Sequence, residues 1–396
     1  MQQNRREQIA QDFASQLNEY GLDSTPLISD SGSGNAQRVL SLLGDLANRR
    51  YQGFSNSPSV EVLAKLQSGI SRLLRCVLAE LLEAEGAHVD PDAPVHAGGF
   101  SWIVRVTYGG GDCAAVVPKF TSGDYLEKFQ VRADVGRLLP QSERYSMPTE
   151  VKFVRAPIPV LLMTYAEGEN CYPRIFDSEG RPHNYDTARG VEVFKTLGEF
   201  AQRFASVRRE RFGTLLKLQH ESAEEYIRAQ VEEIDAKLFS QSFPSLDRYG
   251  YDVGDLKAAV AWAKRDAESQ DQSFLMHGDL SPWNLLHDEE RGRWTIVDGD
   301  DAKFGLLGEQ LGVCLNSMRG NYNRGWIDGL LDGYGLRDPS ERRQALLRGA
   351  VYGTVSYGLI NAGRPWDPAN ADMCRDVAFS FMAPCVKLFK ELEPRR

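Results

Sequence analysis

Apolar residues in this chain recur first at helical spacing, then in alternating runs, then at helical spacing again, and that succession predicts its elements. Residues 5–20, around Gln8, Ile9, Phe13 and Leu17, carry a helical period that ends near Gly21. Ser31, Gly32, Ser33 and Gly34 mark a flexible connection over 23–35, which lacks the Gly-Lys-Ser/Thr ending of a Walker-type phosphate loop. Two amphipathic helices follow, at 38–49 and 59–86. The second sets Val60, Leu63, Leu66, Ile70, Leu73, Leu74, Val77, Leu81 and Leu82 on one broad stripe. Such a face needs cover, either from the sheet that follows or from a second copy of the chain, so a homodimer through the N-terminal helices is one expectation. From Ala97 the pattern becomes strand-like, with Trp102 to Tyr108 and Cys113 to Phe120 flanking a turn, and Val160 to Tyr165 running into the turn Ala166, Glu167, Gly168. Between them 123–139 reads as a helix, with Thr121 and Asp124 as its capping signal. Val191, Phe194, Leu197, Phe200, Ala201, Phe204 and Ala205 make a strong amphipathic helix over 191–211, and more helices are predicted at 221–238, 253–269, 326–334 and 340–359.

One stretch interrupts the helices and holds most of the chemistry. Leu285 to His287 and Trp294 to Val297 are short apolar runs separated by five polar residues and one glycine, which predicts a hairpin. With its turn near Glu290 and Arg291, antiparallel pairing sets Asn284 opposite Val297 and beside Asp298, with cross-strand Cα distances of about 4.5 to 5.5 Å. Two oxygen ligands then meet at one end of one hairpin, a supply that suits Mg²⁺. Asp279 and Asn284 also have the five-residue spacing of a kinase-type catalytic loop, in which the aspartate accepts the proton of an attacking hydroxyl and the asparagine holds the metal. The competing reading is a polar loop on a surface hairpin, with aspartate and asparagine as turn formers.

The run HGDLSPWNLL at 277–286, followed by IVDGDDA at 296–302, resembles the aminoglycoside phosphotransferase and choline kinase superfamily. The resemblance covers about residues 95–390 and implies an α+β, bilobal, protein-kinase-like fold with an antiparallel-sheet N-lobe and a mainly helical C-lobe. It divides the chain into a helical N-terminal extension at 1–94, an N-lobe with nucleotide-binding sheet and hinge at 95–168, and a C-lobe with catalytic loop and acceptor site at 169–396. It implies ATP and Mg²⁺, with Asp279 as catalytic base, Asn284 and Asp298 as metal ligands, and His277 shaping the loop. Lys119 takes the place of the phosphate-binding lysine, with Glu127 or Asp134 as its carboxylate partner. Met163 to Tyr165 become the adenine-binding hinge. Gly98 and Gly99 either admit phosphate to the backbone or serve as turn residues. Gly278, where protein kinases usually carry arginine, argues for a small-molecule hydroxyl acceptor. Asp300, Asp301 and Glu309 exceed what two metal ions need. They are either turn and cap residues or receivers of a cationic acceptor such as an amino sugar. The implied reaction is ATP-dependent phosphorylation of a small molecule, an antibiotic of aminoglycoside or nucleoside type or an amino-sugar-like compound. The alternatives are a metabolic kinase of choline, homoserine or sugar type, and a silent nucleotide-binding scaffold.

Composition narrows the setting. At 396 residues the chain is long enough for two cores. A net charge of −9 disfavours nucleic-acid binding, and the cluster Arg203, Arg208, Arg209, Arg211 reads as a solvated face. Six scattered cysteines without metal spacing argue for reduced thiols. With no apolar leader and no run near the roughly 18 apolar residues that span a bilayer, the expectation is a soluble, cytoplasmic protein without a membrane partner.

Overall fold

The stripe of the long N-terminal helix lands on the chain's own sheet. In this computed structural model, which describes residues 8–15, 60–97, 101–118, 124–155, 158–177, 181–183, 188–236, 250–319, 323–363 and 371–393, two compact units are formed, Met1–Phe129 with Pro148–Ala166 and Gln130–Met147 with Glu167–Arg396. The first holds helix α1 (residues 8–15), helix α2 (Val60–Glu83) and strands β1 (Ala87–Val89), β2 (Val95–Ala97), β3 (Ser101–Tyr108) and β4 (Gly111–Pro118). After helix α3 (Asp124–Leu138) come β5 (Glu150–Val154) and β6 (Val160–Thr164). The sheet is antiparallel in the order β1, β3, β4, β6, β5, with β2 beside β1 on the edge of β3. Trp102, Val104 and Val106 alternate inward on β3, as do Cys113, Ala115 and Val117 on β4. Ile70, Leu73, Leu74, Val77, Leu78 and Leu82 of α2 join them, with Ile9 and Phe13 of α1, in one apolar cluster. The described helical residues before residue 94 are therefore part of the sheet's core. Gly109 and Gly110, both at positive φ, make the two-residue β3–β4 turn. The predicted helix at 38–49 and the loop at 23–35 lie outside the described residues, as do Gly98, Gly99 and Lys119.

The second unit is mainly helical. Its described helices include α4 (Ala188–Ala205), α5 (Ala223–Ile234) and α6 (Val253–Ala267). After β7 (Ser273–Met276) the hairpin β8 (Leu285–Asp288) and β9 (Arg293–Ile296) appears, then β10 (Lys303–Gly305) and helices α7 (Glu309–Asn316), α8 (Arg324–Gly333), α9 (Pro339–Tyr352) and α10 (Ala371–Leu392). α4 and α8 meet nearly backbone to backbone: a Cβ at Gly198 would strike the Leu330 carbonyl oxygen, and one at Gly333 that of Lys195. Phe194, Leu197, Phe200 and Phe204 on α4 are wholly buried, and Phe204 packs against His277, so this helix lies beneath the loop that precedes β8. The helix predicted at 340–359 is not uniform. It turns π-helical over Gly353–Leu359, where Asn316 Nδ2 donates to the Gly353 carbonyl at 2.7 Å.

Candidate active site

The β8–β9 hairpin has the register read from the sequence. Leu285 pairs with Ile296 and His287 with Trp294. One step further Val297 N donates to Asn284 O at 2.8 Å, which sets Asn284 opposite Val297 and next to Asp298. The loop before β8 closes on this end through a 3₁₀ turn at Pro282–Asn284. Asn284 Nδ2 donates to the main-chain oxygen of Asp279 at 2.9 Å and to its carboxylate Oδ2 at 2.8 Å. With the amide nitrogen turned to Asp279, Oδ1 is the atom left to face a cation.

His277 is wholly buried. Its Nε2 donates to Val297 O at 2.9 Å, while Nδ1 accepts from Asp279 N at 3.3 Å, so the ring is the neutral Nε2–H tautomer. Burial holds its pKa down at about 4. The ring lies edge-on to Phe204, and its main-chain N–H is taken by Gln310 Oε1 at 2.6 Å. His277 thus ties both ends of the loop together and does not titrate near neutral pH. Gly278 has φ +86°, and a Cβ there would strike the Asp301 carbonyl oxygen. The absence of a side chain at Gly278 is required by this contact.

Four carboxylates gather here. Asp279 is pushed up to about 7, by burial first and then by Asp298 and Asp301, against the lowering effect of the Asn284 bond. Asp298 adopts a left-handed backbone, φ +67°. Its carboxylate pairs with Arg132 of α3, whose side chain is 5% exposed and also meets Asp300 at 3.4 Å. Burial alone would lower the Arg132 pKa, but Asp298, Asp300 and Asp301 outweigh it and hold the guanidinium charged. Asp300 is therefore engaged by Arg132, whereas Asp301 is exposed. Glu309 does not join them. At 2% exposure it pairs with Lys303 at 3.4 Å and accepts from the Tyr226 hydroxyl at 3.2 Å, so it belongs to a buried structural pair and is withdrawn from any acceptor.

The remaining candidates are dispersed. Asp134 is held by Gln130 and Arg137, both at 3.0 Å, and Glu127 is exposed on the first half of α3. Met163 is 3% exposed inside β6, paired with Ala114 on one side and Glu150 on the other, so its main chain is part of the ladder. Tyr165 stands just beyond the strand, its N–H reaching Asp112 O at 3.4 Å and its ring under Arg105 at 4.6 Å.

Sequence reasoning missed Arg132, Gln310 and Tyr357. The only signal for Arg132 was a charge between Val131 and Ala133, two residues that the fold buries. Tyr357, on the π-helical turn, has its phenol pushed well up by burial and then by the charges of Asp279 and Asp301. Next to the loop, Trp283 meets Tyr172 edge-on at 4.4 Å, and Arg319 lies 5.1 Å above the rings of both Trp283 and Phe381.

The donor set fits a hard divalent ion in kind. Asn284 offers an amide oxygen and Asp298 a carboxylate, and Mg²⁺ takes one or two such ligands and completes its octahedron with phosphate and water. Among the described residues no group of three or more His, Cys, Asp or Glu is placed to enclose a metal.

A six-stranded antiparallel sheet in one unit, a mainly helical second unit and a catalytic loop closed on a two-stranded hairpin together define a protein-kinase-like α+β fold. The chain belongs to the phosphotransferase enzyme family, whose model matches residues 132–345. Among solved structures it is similar to aminoglycoside phosphotransferase APH(4)-Ia, at 16% identity over 79% of this chain and 98% of that one, with a TM-score of 0.53. It is also similar to an ethanolamine kinase of Plasmodium vivax, at 11% identity over 92% of this chain and 96% of that one, with a TM-score of 0.53. At such identities the likeness establishes the fold. No curated protein sequence matches the chain. Among the described residues no helix is long and apolar enough to cross a membrane.

Proposed function

We propose that this protein moves the γ-phosphoryl group of ATP to a hydroxyl of a small molecule, an antibiotic of aminoglycoside or nucleoside type or an amino-sugar-like compound, in the cytoplasm. The observation that carries the reading is the meeting of Asp279, Asn284 and Asp298 at one end of one hairpin. The Asp279 carboxylate accepts the proton of the attacking hydroxyl as that oxygen bonds to the γ-phosphorus and the bond to the departing ADP oxygen breaks. A carboxylate raised to about 7 is matched to that task near neutral pH. Asn284, through Oδ1, and Asp298 would hold Mg²⁺, which when bound neutralises phosphate charge. Neutral His277 fixes the main chain on both sides of the base without competing for its proton. Positioning and charge neutralisation supply most of the rate in such a site. In this reading Lys119, Gly98 and Gly99 meet the phosphates and the main chain near Tyr165 meets adenine.

A metabolic acceptor of amino-alcohol or sugar type is the second reading. It is favoured by the ring cluster of Tyr172, Trp283 and Phe381 beside the catalytic loop, whose faces already accommodate one cation. Asp301 is the exposed acid that an amine on either acceptor would meet. ATP consumption measured across aminoglycosides, nucleoside antibiotics, amino alcohols and sugars separates the two. Consumption stimulated by one class identifies the acceptor. No stimulation by any class, with generic protein substrates phosphorylated instead, would defeat the small-molecule reading.

A further inference from the structure

Arg132 is a buried cation at the mouth of a metal site, and the mechanism above gives it no task. Its side chain is 5% exposed, it pairs with Asp298 and with Asp300, and its Nε has no hydrogen-bond partner, so its place is dictated by the carboxylates at its far end. It is also fixed to the hairpin. Val131 and Val135 on the same helix are in the core of the helical unit. The chain after α3 then runs parallel to β9 at Tyr145–Ser146, where Arg144 O accepts from Trp294 N at 2.7 Å and the Ser146 and Thr295 hydroxyls are 2.8 Å apart. The segment that follows α3 is thus tied to the strand that leads into Asp298.

Charge balance says what such a group does. Kinase-type sites draw two divalent ions onto their acidic and amide ligands, and carboxylates gathered closely repel one another unless a cation stands between them. The Arg132 guanidinium meets both Asp298 and Asp300, so a cation of the chain already stands where a second divalent ion would bridge these two carboxylates. We propose that Arg132 takes the place of the second divalent ion: a cation built into α3 neutralises Asp298 and Asp300, and the site binds one Mg²⁺ through Asn284 and Asp298. Arg132 is in this sense a positioning residue, since it presents the Asp298 carboxylate, held on a left-handed backbone, to the one ion that arrives. The inference rests on the phosphotransferase reading for the ligands of that ion and is independent of the acceptor.

The test is a count of bound Mn²⁺, read from the loss of the free-ion signal in electron paramagnetic resonance, with a non-hydrolysable ATP analogue and the full chain. The expected count is one per chain for the wild type and one for Arg132→Lys, which keeps the charge. Arg132→Met, which removes it, should bind two. In the absence of metal the methionine variant should melt below the wild type, and Mn²⁺ should raise its midpoint by more than it raises that of the wild type. Should Arg132→Met not fold, Arg132→Gln is counted in the same way with the same expectation. Two ions in the wild type, or one in every variant, would overturn the inference while leaving the phosphotransferase reading intact. A wild type that binds one ion but transfers no phosphoryl group would overturn only the latter.

Discussion

Replacing Asp279 with Asn removes one negative charge from a site that already holds Asp298, Asp300 and Asp301, and it should stabilise the fold above neutral pH while abolishing phosphoryl transfer. The ordinary aspartate value of 3.8 is raised to about 7 in the folded protein. A group raised in this direction contributes stability that is fully present below 3.8 and is lost as the pH rises through about 7. The displacement of about three pH units corresponds to about 4 kcal/mol, and solvent screening of a half-buried carboxylate brings that to about 2 kcal/mol. Asparagine keeps the shape, and its side-chain oxygen can still accept from Asn284 Nδ2, so the loop loses charge without losing its closure. The assay is urea unfolding followed by tryptophan fluorescence in metal-free buffer. At about pH 8 the variant should be the more stable protein, and the gap should shrink through pH 7 and vanish near pH 4. A variant no more stable than the wild type at about pH 8, or a gap that does not change with pH, would refute the crowding of carboxylates on which the mechanism depends.

Other outcomes follow from the same geometry. His277 titrates at about 4 rather than 6.5, so the stability it provides is present above pH 6.5 and lost as the pH falls toward 4, by about 3 kcal/mol in all. His277→Gln should flatten that acid limb in urea midpoints taken across the same range. Gly278→Ala places a Cβ against the Asp301 carbonyl at positive φ and should lower turnover more than about tenfold while far-UV circular dichroism is unchanged, from a strain of about 1 to 2 kcal/mol before the clash is counted. Leu78→Ala on α2, where the side chain is fully buried against the sheet, should cost about 2 to 5 kcal/mol. A loss below about 1 kcal/mol would mean that the N-terminal helix is not part of that core.

The hairpin and its ligands were legible because both rest on local spacing: short apolar runs fix the register, and the register sets Asn284 beside Asp298. The α2 stripe was legible for the same reason, although only the sheet could show which partner covers it. Arg132 was not legible. An arginine on a helix normally points to water, and what buries this one is an acidic loop 166 residues later in the chain. For Glu309 the sequence leaves a cap residue and a receiver of a cationic acceptor both open, and one position decides the matter. Gln310 reaches the His277 main chain while Glu309 faces Lys303. The π-helical turn that carries Tyr357 leaves no mark on the apolar pattern of 340–359, because it depends on a carbonyl captured by Asn316 from a neighbouring helix.

The central claim is that Asp279 is the base for transfer to a hydroxyl, and one comparison tests it directly. Wild-type protein and Asp279→Ala are incubated with ATP, Mg²⁺ and the acceptor that stimulates ATP consumption, and the acceptor is weighed by mass spectrometry while ATP binding is measured in parallel. The account predicts an acceptor heavier by one phosphoryl group with the wild type and unchanged acceptor with Asp279→Ala, which still binds ATP; full phosphorylation by Asp279→Ala would contradict it.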